Sequence, residues 1–230
     1  MIITGLATRE GTAVDNADAA TIHVLADGTV GAAVIDGIGH GPRTSATAPL
    51  LAEAAARLTA RRGTLAGLLT AGELIADPGA DGEEADAVAV TAAVLPGAGE
   101  TRVAWVGDCR AYGWDGNRLT LYTTDHTVGE QLRVNGAPWE LAEQHDNWLR
   151  TSLSDAVVGT VYQVTIPDPV VLLTSDGVHD QIEPDALQAL VRQHADDPQT
   201  LAETLVAAAQ QDERGYRDDA TTIVIRRPRP

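Results

Sequence analysis

Five aspartates in this chain share one local setting. Asp18 stands in DNADAATIHV, Asp36 in AAVIDGIGHG, Asp108 in AWVGDCRAY, Asp176 in VLLTSDGVHD and Asp218 in GYRDDATTIVI. Each adjoins an apolar run of strand character, and most sit beside Gly or a second Asp. A buried strand that ends in aspartate carries a carboxylate to the sheet edge, where an unpaired charge is costly. A divalent cation removes that cost, because carboxylate oxygens suit hard ions such as Mg2+ and also Mn2+. Singly, each aspartate has a plainer reading. Asp-Gly is a common turn pair, Asp18 reads as a cap, and Asp108 and Asp218 could pair with Arg110 and Arg217. Glycine beside the carboxylate allows a tight turn and leaves room for a bulky neighbour.

The elements that must position these residues are legible as paired strand signals. Residues 21–26 and 30–35 flank Asp27-Gly28, a hairpin signature. Residues 87–95 and 101–106 flank a Gly-rich turn, 110–114 and 118–122 flank Asp115-Gly116, and 161–166 and 170–174 flank Pro167 to Pro169. A last strand is expected over 221–226. Strands joined by tight turns pair antiparallel. Helical patterns lie apart from these pairs, over 45–60, 64–76, 184–194 and 199–211. Pro49 marks a kink or a late start in the first of them. Residues 77–86, rich in Pro, Gly and acids, read as a solvated loop, and 135–154 as irregular. Grouped hairpins with separate helices predict an α+β fold. The expectation is a four-layer αββα sandwich, two stacked antiparallel sheets flanked by helices, as a single domain over 1–230.

Composition narrows the function. The chain has 230 residues and a formal net charge of −17, and its sixteen basic residues are all Arg. Nucleic-acid binding depends on neutralising phosphates with basic side chains, so this balance speaks against it. An anionic membrane surface is disfavoured for the same reason. The opening MIITGLATREG lacks the apolar run of an export signal, and no stretch of about twenty apolar residues occurs. The expected compartment is the cytoplasm. Cys109 is the one cysteine, so no internal disulfide can form.

The order of the motifs resembles the metal-dependent protein phosphatases of the protein phosphatase 2C type, from Thr8 to Ile225. The motifs are Asn16-Ala17-Asp18, then Asp36-Gly37-Ile38-Gly39, then VGDCRAY over 106–112. After these come Thr124-Asp125-His126, LLTSDG over 172–177, and DDAT over 218–221. Each is weak alone, and six in order are specific. The resemblance implies a bacterial serine/threonine phosphatase that binds two or three Mn2+ or Mg2+ ions and hydrolyses phosphoserine and phosphothreonine with a metal-bound hydroxide. It implies that Asp36 bridges two ions, that the Gly37 carbonyl binds one, and that Asp176 and Asp218 complete a shell. Asp36, Asp176 and Asp218 are then the catalytic set. Asp18 sits beside the second ion, and Asp108 helps to hold a third. Asp219 competes with Asp218, which keeps Thr221 in register. Two such ions, roughly 3.5–4 Å apart, lower the pKa of a shared water and absorb phosphoryl charge, so no protein nucleophile is needed. Cys109 stands where the family has Ser.

The first motif departs from the family. Ala13 replaces the Arg that grips phosphate, and Ala17 replaces Glu or Gln. If the chain runs extended from Arg9 to Ala13, Arg9 lies about 13 Å away, which leaves Arg43 as the better substitute. His40, in DGIGHG, is similar to a feature of the partner-switching phosphatases of bacterial stress and sporulation pathways. Read on its own it is a solvated turn histidine. His126 and His179 carry the same pair of readings, and His145-Asp146-Asn147 reads as structural. The expected partners are phosphorylated proteins, with a Ser/Thr kinase or its targets, met by a monomer. Two other readings stay open: a catalytically weak relative acting as a phosphoprotein-binding module, and a phosphatase for small phosphoesters.

Overall fold

A computed structural model of the protein describes residues 1–77 and 85–228. The middle of the acidic loop expected over 77–86 lies outside the described residues. Among the described residues there are ten strands and seven helices. One sheet runs in the order β1 (Ile3–Arg9), β10 (Ala220–Arg226), β9 (Val170–Thr174), β6 (Arg110–Trp114), β7 (Leu119–Leu121). The other runs β2 (Asp18–Val24), β3 (Val30–Ile38), β4 (Asp86–Val94), β5 (Thr101–Val106), β8 (Tyr162–Ile166). Every neighbouring pair is antiparallel.

Three apolar interfaces hold four layers together. Between the sheets, Val34, Val90, Val103, Leu173, Ile223 and Ile225 interdigitate. Alternate residues of β3, Ala33 and Ile35, face outward onto helices α1 (Pro42–Arg62) and α2 (Thr64–Glu73), as the two-residue strand period requires. On the far side, α6 (Pro184–His194) and α7 (Pro198–Ala208) cover the first sheet through Leu187, Val191, Leu201 and Leu205. This is the expected αββα sandwich. Among the described residues, no helix is long and apolar enough to cross a membrane.

The structure corrects several expectations. Residues 161–166 and 170–174 are not a hairpin: β8 joins β5 in one sheet and β9 joins β10 and β6 in the other. Pro167-Asp168-Pro169 turns the chain from layer to layer, and Arg227 Nη2 pins it by donating to the carbonyls of Pro167 and Asp168 at 2.6 and 2.7 Å. β1 went unpredicted, because ITGLATR has a weak strand pattern and gains its conformation by pairing with β10. The helix expected over 45–60 starts earlier, at Pro42, whose missing N–H costs nothing in a first turn. It continues through Pro49, which lies on its exposed side. The stretch expected to be irregular contains α4 (Trp139–Glu143), which follows α3 (Val128–Val134).

Helix α1 sits directly on β3 at Gly31. A Cβ there would lie 2.4 Å from both the Ala56 carbonyl and the Ala60 nitrogen. This contact fixes the helix that leaves the Asp36 loop. Gly31→Val should therefore destabilise the fold by about 3 kcal/mol through overpacking. Urea unfolding would measure it, and a loss under about 0.5 kcal/mol would mean that the helix seat is compliant.

Candidate metal centre

Five chain segments deliver carboxylates to one end of the sandwich. Asp18 opens β2 and pairs across the ladder with Asp36 near the end of β3. Asp108 follows β5 at the corner where the chain changes sheets, Asp176 starts the short α5 (Asp176–His179) after β9, and Asp218 precedes β10. Asp18 is buried, and Asp36, Asp108, Asp176 and Asp218 are partly so. Gly37 lies beside Asp36 in β3, and its N–H donates to the Ala17 carbonyl at 3.1 Å.

Neither Asp-Gly pair is the turn that its sequence suggests. Gly37 and Gly177 do not have positive φ. They are glycines because other chain passes close by. A Cβ on Gly37 would lie 2.3 Å from Thr44 Cγ2, and one on Gly177 would lie 2.0 Å from the Asp219 carbonyl oxygen. The missing side chains let the start of α1 close in on Gly37 and the segment before β10 close in on Gly177, beside the aspartates.

A second set of groups holds this arrangement. Ser175 Oγ donates to Asp18 Oδ2 at 2.7 Å and accepts from the Thr221 N–H at 3.0 Å, joining β2, β9 and β10. Asp219 is buried, and its two oxygens accept from the N–H groups of Gly11 and Ala17, each at 2.7 Å. Its carboxylate is committed to clamping the 11–17 loop. Asp218 accepts from the Asp219 N–H at 2.9 Å, lies 4.0 Å from His40 Nε2 and also faces Tyr216. His40 Nε2 is also 3.2 Å from Tyr216 Oη. Sequence reasoning passed over Ser175, Asp219 as a clamp, and Tyr216. The Ser and Asp next to LLT and DDAT were the available signals for the first two.

The arginines divide differently from the extended-strand expectation. β1 ends at Arg9, and the residues around Ala13 form a loop. Arg9 Nη1 donates to the carbonyls of Val206, Ala207 and Ala209 at the end of α7. Arg43 is exposed in the first turn of α1, just past the Asp36 loop. His126 and His179 are buried, and both imidazoles are pushed down mainly by burial. Cys109 is fully buried in the inter-sheet core, and burial raises its thiol well above the usual range, which makes it inert.

The electrostatics are those of an uncompensated anionic site. Burial first, then the charges of Asp176, Asp18, Asp108 and Asp218, hold Asp36 well above the ordinary carboxylate range. Asp176 is raised by burial and by Asp218, Asp108, Asp18 and Asp180. Burial pushes Asp18 up to about 8 against the pull of Ser175 and Thr221, and pushes Asp108 to about 6, aided by Asp125 and opposed by Arg110. Among the described residues, no group of three or more His, Cys, Asp or Glu side chains is disposed to hold a metal ion as it stands. The donor set still fits a hard divalent cation: it is all oxygen, it is poorly solvated, and its charges repel one another.

A cleft of about 460 Å³ opens beside the aspartates, lined among others by Asp108, Arg110, Arg133, Trp139, Asp146 and Asp176. A second cavity of about 430 Å³ opens at the opposite end of the sheets among Met1, Val24, Leu95 and Pro96, and contains none of the five aspartates.

Residues 26–228 match the family model described as stage II sporulation protein E. That span includes every one of the five aspartates except Asp18. No curated protein sequence matches the chain. Among solved structures, the S. agalactiae serine/threonine phosphatase is similar at TM-score 0.84 and 17% identity, over 99% of this chain and 100% of that one. Serine/threonine phosphatase Stp1 from Staphylococcus aureus follows at 0.79 and 17%, over 100% and 96%. The Mycobacterium tuberculosis serine/threonine phosphatase PstP/Ppp gives 0.72 and 20%, over 99% of each chain. At these identities the likeness establishes the fold.

Carboxyls raised in this way bind protons more tightly in the folded chain than in the unfolded one. Their contribution to stability is complete below the ordinary carboxylate range and is lost as pH rises through about 6 for Asp108 and about 8 for Asp18. In EDTA, Tm should fall between about pH 5 and pH 8, and Mn2+ or Mg2+ should restore more of it at the higher pH, since cation and proton compete. Scanning fluorimetry across that range checks this. A larger ion-induced rise at the lower pH would contradict it.

Proposed function

The chain belongs to the stage II sporulation protein E family, of protein phosphatase 2C-like fold, and from that premise we propose that it is a metal-dependent serine/threonine protein phosphatase. The observation that carries this reading is the group of partly dehydrated, mutually repelling carboxylates brought to one rim from five separate segments. Asp36 would bridge two Mn2+ or Mg2+ ions, with the Gly37 carbonyl, Asp176 and Asp218 completing the first shell and Asp18 beside the second. Asp108 would hold a third ion. When bound, these ions supply Lewis acidity, lowering the pKa of water and absorbing phosphoryl charge.

The chain's own groups have separate tasks in this reading. Ser175 keeps Asp18 oriented by donating to it. Asp219 holds the 11–17 loop by two backbone bonds, which leaves Asp218 as the ligand. Arg43, exposed at the start of α1 just past β3, would meet the substrate phosphate where Ala13 offers no cation. The 460 Å³ cleft beside Asp108 and Asp176 gives room for residues flanking a phosphoserine or phosphothreonine. The substrates are phosphorylated proteins, and the site belongs to a single cytoplasmic domain acting as a monomer. Ala13 is the observation that favours a second reading, a phosphoprotein-binding module with weak turnover.

Hydrolysis of p-nitrophenyl phosphate with Mn2+ tests the first reading. Asp36→Asn should lower kcat roughly a hundredfold or more, because it removes the shared ligand of both ions. Unchanged metal-dependent turnover in that variant would refute the assignment. Ala13→Arg should lower KM about tenfold by adding a bidentate phosphate contact, with metal affinity unchanged. Arg43→Ala should raise KM more than Arg9→Ala does. A KM that stays level or rises in Ala13→Arg would favour the binding module.

A further inference from the structure

We propose that His126 is a positioning residue for Asp108, acting through the turn at Gly107. The inference rests on the reading of Asp108 as an ion ligand. Asp108 stands where the chain leaves β5 in one sheet and enters β6 in the other, so a strand ladder does not continue through it. Gly107 has φ of 89°, and a Cβ on it would lie 2.1 Å from Val88 Cγ1. The turn therefore depends on outside contacts for its shape.

The four residues 123–126 supply them on both sides of Asp108. Beyond it, Thr123 Oγ1 accepts from the Ala111 N–H at 3.1 Å, and Asp125 accepts from Arg110 Nε and Nη2 at 3.1 and 2.6 Å. Before it, the His126 N–H donates to the Gly107 carbonyl at 2.9 Å, and His126 Nδ1 accepts from the Gly107 N–H at 3.3 Å. His126 thus holds both polar groups of the residue that precedes Asp108.

This bond comes at a structural cost. With Nδ1 as acceptor, the hydrogen of the neutral ring is on Nε2. Nε2 is buried and has no hydrogen-bond partner among the described residues. The ring packs against Tyr162 at 4.4 Å and 69° and against Trp105 at 6.0 Å. An apolar ring would fill this space without an orphaned donor, so packing alone does not explain imidazole here. What imidazole adds is the acceptor for Gly107. Burial, with Arg150 nearby, pushes its pKa down to about 4, which keeps that acceptor available at neutral pH. The same residue ties in the neighbouring helical segment. The Arg150 N–H donates to the His126 carbonyl at 2.8 Å, and Thr127, which caps α3, bridges to Leu149.

Calorimetric titration of the full chain with Mn2+ tests this in Asp108→Asn, His126→Phe, His126→Asn, and Asp108→Asn with His126→Phe. Asp108→Asn should abolish the weakest ion. His126→Phe should weaken that ion about tenfold and leave tighter ions within about twofold, the scale of a lost supporting contact. His126→Asn, whose amide oxygen can replace Nδ1, should stay within about threefold of the parent, and the double variant should match Asp108→Asn alone. Should His126→Phe not fold, His126→Gln takes its place, because its oxygen lies nearer the position of Nε2. Weakening of all ions alike, no weakening at all, or a further loss on top of Asp108→Asn overturns the proposal. If Asp108→Asn itself changes nothing, the ligand reading of Asp108 fails and this inference fails with it. If Asp108→Asn loses an ion that His126→Phe retains, this inference alone fails.

Discussion

Mutual repulsion among partly dehydrated carboxylates is the constraint that the rest of this structure accommodates. Asp36 faces Asp176, Asp18, Asp108 and Asp218, and each of these charges makes its ionisation harder. Folded proteins normally avoid such groupings, since burial of unpaired charge opposes folding. Here the fold brings the five residues together from both sheets and holds them there. The three apolar interfaces of the sandwich offset that cost, and a divalent cation would convert repulsion into attraction.

The support is built from main-chain capacity as much as from side chains. Gly37 and Gly177 give up their side chains so that Thr44, Ala17 and Asp219 can close in. Asp219 spends its full carboxylate on two backbone N–H groups. Ser175 ties Asp18 to the start of β10. The Ser175–Asp18 bond and the two Asp219 bonds join segments more than 150 residues apart in sequence. The aspartates are therefore placed by tertiary structure and not by any one local motif.

That distinction separates what could be read in the sequence from what could not. The apolar runs that lead to Asp36 and Asp176 and away from Asp218 were legible as strands, although β3 continues through Asp36 to Ile38. So were the hairpins around Asp27-Gly28 and Asp115-Gly116, and the αββα layering. The path of 161–174 was misread, since two short apolar runs around a Pro-rich turn look alike whether they pair or part between layers. β1 was missed because its pairing partner β10 lies at the far end of the chain. Of the two roles read for these glycines, room for a close neighbour is what the structure shows and the tight turn is not, because Gly37 stays in β3 and Gly177 in α5. Arg9 could not be placed without α7, whose carbonyls it caps.

The central claim is that the five aspartates form one ion-binding centre. The most direct measurement is anomalous diffraction from crystals of the protein soaked with Mn2+, collected at the manganese absorption edge. The expected result is two strong peaks roughly 3.5–4 Å apart, shared by Asp36, with Asp176 and Asp218 on one of them. Peaks located elsewhere, for instance at histidines outside this rim, or density at the rim that shows the carboxylates bound to protein groups alone, would contradict it.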